Sequence, residues 1–338
     1  MKEFEDIVTS AYAVLLSLIG LFLIFRFVYY IKTQHARIKI GLEKTPFHFF
    51  RFLSIVAIPL FLIGLINYIF ILQKGNLFAP YWAKVGLIAL LFLVAITEIL
   101  YNIYLRPTKF NRILNIVFGL VFLFLGIQLN KVYLTAKEYP SVESSVIIEL
   151  PFEGQWIASG AGASGLTNHH DRINSQKYAV DIVKFGENGR LFENEEIENE
   201  DSYTFGAEIV APVNGKVVHV VDSLPDQKIT DRDKLAGNHI IIQFQDTLFV
   251  ALAHLKQNSI AVKPGAVVKV GDFLALVGNS GNTDFPHLHV HVQNSKTYDI
   301  ETTISYPFRF KNFKRMRYFY WENQRDQFLL SNDIIKPQ

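Results

Sequence analysis

The feature that most constrains this chain is the absence of charge over two long apolar runs near its start, Ile7 to Phe25 and Phe52 to Leu72. Each matches the roughly 20 residues that a helix needs to cross a hydrocarbon core. A third run, Ile113 to Leu129, lies between Arg112 and Lys131, whose long side chains can snorkel and lengthen it. A fourth, from Pro80 to Leu105, holds Lys84 near one end and Glu98 near the other. Glu98 is expected to face the bundle interior or the interface, because an ionised carboxylate is costly in lipid. The pattern predicts a domain of four transmembrane helices over residues 1–135, at 7–29, 52–72, 80–105 and 111–133.

Basic residues set the expected orientation. Lys32, Arg37, Lys39, Lys44 and Arg51 mark the first connection as cytoplasmic, and Arg106, Lys109 and Arg112 mark the third. The acidic start, Lys2 to Asp6, and everything after Thr135 are then expected outside the cytoplasm, in a multi-pass membrane protein with the bilayer as a partner. A net charge of +2 and the lack of a recognisable motif speak against nucleic acid as a partner. The chain has no cysteine, so any metal has to be held by His, Asp or Glu.

After a linker at 136–146 the pattern changes to short apolar runs broken by glycine, proline and acidic turns. Val146–Leu150, Tyr178–Val183, Ile209–Pro212, Lys216–Val221, His239–Phe244, Leu248–Leu255, Val267–Val270, Phe273–Val277 and His287–Val292 all read as strands. With no amphipathic helix between them, they predict an antiparallel β-sandwich or partly open barrel at 147–300. Residues 301–338 read as a basic and aromatic extension, suited to an anionic surface or to packing on the domain.

The chemistry concentrates in this polar half, where eight of the ten histidines follow residue 168. In Pro286-His287-Leu288-His289-Val290-His291 the strand period sends three imidazoles to one face, which offers either a metal site or a histidine-rich sheet surface. Asp181, between Val180 and Ile182, is a buried charge that needs a cationic or metal partner. Two His and one Asp with an open position describe a catalytic rather than structural zinc site. Two further histidines could then serve the water and the developing oxyanion. His169 and His170 lie on a loop, and His254 follows an apolar strand.

Ala253-His254-Leu255, the run Val262-Lys263-Pro264-Gly265 through Val270-Gly271-Asp272, and Gly278-Asn279-Ser280-Gly281 through Pro286-His287-Leu288-His289 resemble the core of lysostaphin/LytM-type zinc metalloendopeptidases. Ala211-Pro212 to Gly215-Lys216-Val217 is similar to the early hairpin of that family. The resemblance covers residues 147–295 and implies peptide hydrolysis in bacterial peptidoglycan, with Asp181 and His289 as zinc ligands and His254 and His287 as the catalytic pair. Where the family has its first ligand, four residues before Asp181, this chain has Lys177, and a protonated lysine cannot bind zinc.

Asn168-His169-His170 followed by Gln176-Lys177-Tyr178-Ala179-Val180-Asp181 resembles a variant branch, which implies His170 as third ligand, with His169 as the alternative. His291 stands where the family often has a glutamate. His219 and His239 read as ordinary sheet histidines, and His35 and His48 fall in the expected cytoplasmic loop. The competing expectation is a catalytically inactive module of the same fold that binds cell wall or regulates another hydrolase. A membrane regulatory partner would fit the expected helical anchor.

Overall fold

The computed structural model describes residues 138–338 except 166, 187–189, 194–197, 228–230 and 318–319, together with isolated positions between 89 and 127. Among the described residues fifteen strands carry the fold: β1 (Val146–Ile148), β2 (Trp156–Gly160), β3 (Val180–Lys184), β4 (Glu208–Val210), β5 (Gly215–Val221), β6 (Asn238–Gln245), β7 (Leu248–Leu255), β8 (Val267–Val268), β9 (Phe273–Leu276), β10 (Leu288–Gln293), β11 (Ser305–Tyr306), β12 (Phe308–Phe310), β13 (Phe313–Met316), β14 (Glu322–Gln324) and β15 (Ile334–Pro337). Eleven form one sheet in the order β14-β13-β15-β2-β3-β10-β7-β6-β5-β8, with β11 paired to β10. β4 and β9 form a separate antiparallel ribbon, and β1 pairs in parallel with β12.

Alternation along the central strands divides this sheet into two faces. Val180 and Ile182 of β3, Leu288, Val290 and Val292 of β10, Val250 and Leu252 of β7 and Ile240 and Ile242 of β6 all enter the main core. Ile209 of β4 and Leu274 and Ala275 of β9 belong to the same core, so the ribbon covers this face. Each such aliphatic side chain contributes about 1.5–3 kcal/mol by leaving water. The opposite face carries two smaller apolar clusters. Ile157, Val183, Leu191 and Phe192 form one over β2 and β3; Ile241, Phe249 and Ala251 form the other over β6 and β7, with Tyr298 packed on it. Between them in the strand order lie β10 and its neighbours, where the polar residues gather.

The expected fold class, a helical membrane domain joined to a β domain, is corrected here. Among the described residues no helix is long and apolar enough to cross a membrane, and the domain after residue 138 is built of strands and short 3-10 turns. The expected spans 7–29 and 52–72 lie outside the described residues, as do Lys84, Glu98, His35 and His48; 80–105 and 111–133 are represented only by isolated positions. The bilayer as a partner loses its support with those spans. The β domain also differs from a two-sheet sandwich, being one broad sheet with a small ribbon over one face.

Two groups of strands have no counterpart in the apolar pattern. β2, Trp156-Ile157-Ala158-Ser159-Gly160, is absent from the strands expected of the apolar runs, yet pairs with both β3 and β15. Residues after 300 fold into the same sheet through β13, β14 and β15, and Phe310, Phe313 and Ile335 are buried in the main core.

Candidate metal centre

Asp181 is the centre of the polar face. The β3–β10 register sets it directly across from His289, and His289 Nδ1 lies 2.9 Å from Asp181 Oδ1. His170 Nε2 lies 2.9 Å from the other carboxylate oxygen, and His169 Nε2 lies 3.4 Å from that same oxygen. His287, just before β10, brings Nε2 to 3.6 Å from Oδ1. His169, His170 and Asp181 have ligand atoms mutually within 4.8 Å. The two loop histidines differ in setting: the His170 side chain is 10% exposed and that of His169 70%.

Local structure explains how a loop reaches this point. Asn168 caps the short 3-10 turn His169–Arg172 by accepting from the His170 backbone N–H at 3.1 Å. Its amide nitrogen donates to the carbonyls of Gly162 (2.9 Å), Ala179 (3.0 Å) and Lys177 (3.3 Å). One buried amide therefore ties the histidine loop to the chain entering β3. Lys177 takes no part in the centre; its ammonium lies 5.7 Å from the ring of Tyr178. Asparagine is among the residue types that favour this cap position.

His254 arrives by a different device. Alternation along β7 sends Val250 and Leu252 to the core and Ala251 to the opposite face, which would put His254 in the core. Instead His254 has φ +61°, and the β6–β7 register shifts between Asn238 and Ile240. The bulge lets Ala253 and His254 both leave the core face and returns Leu255 to it. The His254 ring lies 4.7 Å from that of His287 and 5.8 Å from that of His289, centroid to centroid.

The glycine turn supports this position. At Gly237 (φ +56°) an added Cβ would collide with the Ser280 backbone, and at Gly281 (φ +86°) with Lys234 O and the Gly237 backbone. Bare backbones there let Ser280 O come within 2.9 Å of His254 Nδ1, which donates to it. His287 Nδ1 likewise donates to Phe285 O at 2.9 Å. Both rings are thereby held with Nε2 as the lone-pair nitrogen.

Burial shapes the charge of the site. Desolvation is the largest influence on Asp181 and works to raise its carboxyl, but the His170 and His287 rings and the hydrogen bonds from His170 and His289 outweigh it and hold the group well below the usual carboxylate range. Desolvation pushes His289 down to about 3 and His291 to about 4, and pushes His254 well below its ordinary 6.5. A carboxylate faced by imidazoles within hydrogen-bond reach is a set of oxygen and nitrogen donors without thiolate. It fits a divalent ion of borderline softness such as zinc. His169, His170 and Asp181, with His289 across from the carboxylate, are the residues that could hold it.

His291 continues the line: its Nδ1 lies 3.0 Å from His289 Nε2. His219 and His239 are outside the centre, their rings stacked at 5.2 Å. Tyr298 and Gln293 join the site without any sequence signal. The Tyr298 hydroxyl lies 3.3 Å from His289 Nε2, and Gln293 Oε1 lies 2.6 Å from His291 Nε2.

Residues 202–300 match the family described as Peptidase family M23. That match contains His254, His287, His289 and His291 and begins downstream of His170 and Asp181. Among solved structures, a zinc-containing peptidase from Vibrio cholerae is 25% identical, over 34% of this chain and 26% of its own, with a TM-score of 0.23. The catalytic domain of lysostaphin from Staphylococcus simulans is 20% identical over 45% of this chain and 88% of its own, at TM-score 0.27. The M23 metalloprotease pseudoalterin is 15% identical over 55% and 95%, at TM-score 0.31. The chain thus spans about a quarter of the length of the Vibrio peptidase and most of the length of the other two.

Proposed function

Proceeding from the match of its β domain to peptidase family M23, we propose that this chain is a zinc metalloendopeptidase that cuts peptide bonds in peptidoglycan stem peptides or cross-links. The observation that carries the reading is the convergence of His170, His287 and His289 on one buried carboxylate, with His254 alongside. His170, Asp181 and His289 hold the metal; the more distant and exposed His169 is the weaker candidate for the first position. Such a substrate requires the domain to work outside the cytoplasm.

Bound zinc would lower the pKa of its water to about 7 and polarise the scissile carbonyl. The residues of the chain supply the rest. His254 and His287 each keep a proton on Nδ1 by donating to a backbone carbonyl, so each presents Nε2 as a proton acceptor. One accepts the proton of the attacking water and passes it to the leaving amine, while the other stands beside the developing oxyanion.

The test is metal analysis of the purified full chain together with a peptidoglycan digestion assay. Stoichiometric zinc with release of peptides is the expected result. Wall binding without zinc and without released peptides would overturn it in favour of a non-catalytic module.

A further inference from the structure

The loop that brings His169 and His170 to Asp181 is held from beyond the stretch that matches the peptidase family. That match ends at residue 300, while the chain runs on through β13, β14 and β15, and the turn at 330–333, just before β15, reaches back to the histidine loop.

The turn is closed by its own backbone and by one buried carboxylate. The Asp333 N–H donates to Leu330 O at 3.0 Å, Asn332 takes φ +70°, and the Leu330 N–H donates to Asp333 Oδ2 at 2.9 Å. Asp333 is 0% exposed, and Arg317 grips its carboxylate with two hydrogen bonds, Nε to Oδ1 at 2.7 Å and Nη2 to Oδ2 at 2.6 Å. A two-pronged contact of this kind fixes direction as well as charge. The cost of burying two charges offsets much of their attraction, so stability alone does not account for the pair. The turn is also fastened to β2, since the Asn332 N–H donates to Ala158 O at 2.7 Å and the Ala158 N–H to Asp333 O at 3.0 Å.

What the turn holds in place is Ser331. This residue is buried, and its hydroxyl accepts from the Ala161 N–H at 3.2 Å and donates to Thr167 O, with Ser159 O also 3.2 Å away. One hydroxyl therefore touches both the start and the end of the loop at 161–167. Gly160, Gly162 and Gly165 give that loop wide backbone freedom, which makes an outside anchor consequential. Thr167 immediately precedes Asn168, the cap of the 3-10 turn that carries His169 and His170.

We propose that Ser331, set by the ion pair of Arg317 with Asp333, is a positioning residue for the metal centre: it anchors the loop at 161–167 so that the histidine turn meets Asp181 at ligand distance. This rests on the metal centre proposed above. It makes residues 301–338 part of the support of that centre, so the family-matched stretch does not suffice for tight metal binding.

The experiment uses the full chain, with zinc affinity read by chelator competition and amide hydrogen exchange read in the metal-free protein. Ser331→Ala removes the hydroxyl and leaves the backbone. It is expected to weaken zinc binding about tenfold, the lower end of what loss of a ligand's support costs. Exchange over residues 161–170 should speed up while β6 and β7 keep their wild-type rates. Val268→Ala, in β8 at the opposite edge of the sheet, is the comparison for stability alone: it should lower the denaturation midpoint and leave zinc affinity and the 161–170 exchange unchanged. A folded Ser331→Ala protein that binds zinc as tightly as the wild type, or exchanges no faster over 161–170, would overturn the proposal. So would an equal loss of zinc affinity in Val268→Ala, which would reduce Ser331 to a contribution to general stability. If Ser331→Ala does not fold, Arg317→Lys, which keeps the charge but loses the two-pronged contact, is read by the same two measurements. A wild type that takes up no zinc would instead defeat the metal centre itself, and the exchange over 161–170 would still decide whether Ser331 holds the loop.

Discussion

On one face of β10, Leu288, Val290 and Val292 are fully buried among aliphatic side chains. On the other face His289, His291 and Gln293 are as dry, at 1% exposure each, but are held by a line of hydrogen bonds running from Asp181 to the carbonyls of Ser295 and Thr297. The first face is stabilised by area and volume, which have no direction. The second depends on which atom carries each proton, and a single wrong partner leaves a buried group unsatisfied. One strand therefore carries a face that contributes stability and a face that sets up chemistry.

The largest expected effect lies on the polar face. His289→Ala should leave the full chain without bound zinc and without detectable peptidoglycan hydrolysis. A His289→Ala protein that hydrolyses at the wild-type rate would end the distinction between the faces. His254→Ala sharpens the contrast within that face: zinc is retained, while the hydrolysis rate falls by about 10²–10⁴-fold. Metal content and rate measured on one sample separate the two variants.

On the apolar face, Leu252→Ala sits across from Val290 and should destabilise the fold by about 2–5 kcal/mol in denaturant titration. Zinc bound per folded molecule should not change, and a loss of zinc at full folding would show that the faces are coupled. The metal-free protein should also respond to acid through the polar face. Burial holds His289 at about 3 and His291 and His239 at about 4, while the unfolded chain takes up protons near the ordinary 6.5. The stability these neutral rings permit is present above 6.5 and is lost as pH falls from there towards their folded values. A denaturation midpoint that stays level from about pH 7 to about pH 4.5 would contradict the dryness of that face. The smallest effect is expected of Lys177→Ala, which should change stability by no more than about 0.5 kcal/mol and leave zinc binding alone.

Much of this comparison could be read from residue order. The alternation His287-Leu288-His289-Val290-His291 placed the imidazoles opposite the apolar residues, and Asp181 between Val180 and Ile182 stood out as a charge in a core strand. Gln293 and Tyr298 could not be singled out, because a polar residue gains a role only through the partner it meets, and their partners lie on His291 and His289. Counting along β7 would have sent His254 to the core; only the left-handed residue at that point turns it to the site. The expected N-terminal spans fall largely outside the described residues, among which no helix is long and apolar enough to cross a membrane.

By itself the sequence determined the strand periodicity of the polar half and the confinement of any metal to His, Asp and Glu. These follow from spacing and side-chain chemistry over a few residues. Only the tertiary structure decided that His170 reaches Asp181 from a loop eleven residues away, that a bulge redirects His254, and that Gln293 and Tyr298 meet His291 and His289. Each of those depends on register, backbone handedness or a distant carbonyl, and none of these is carried by the residues it acts upon.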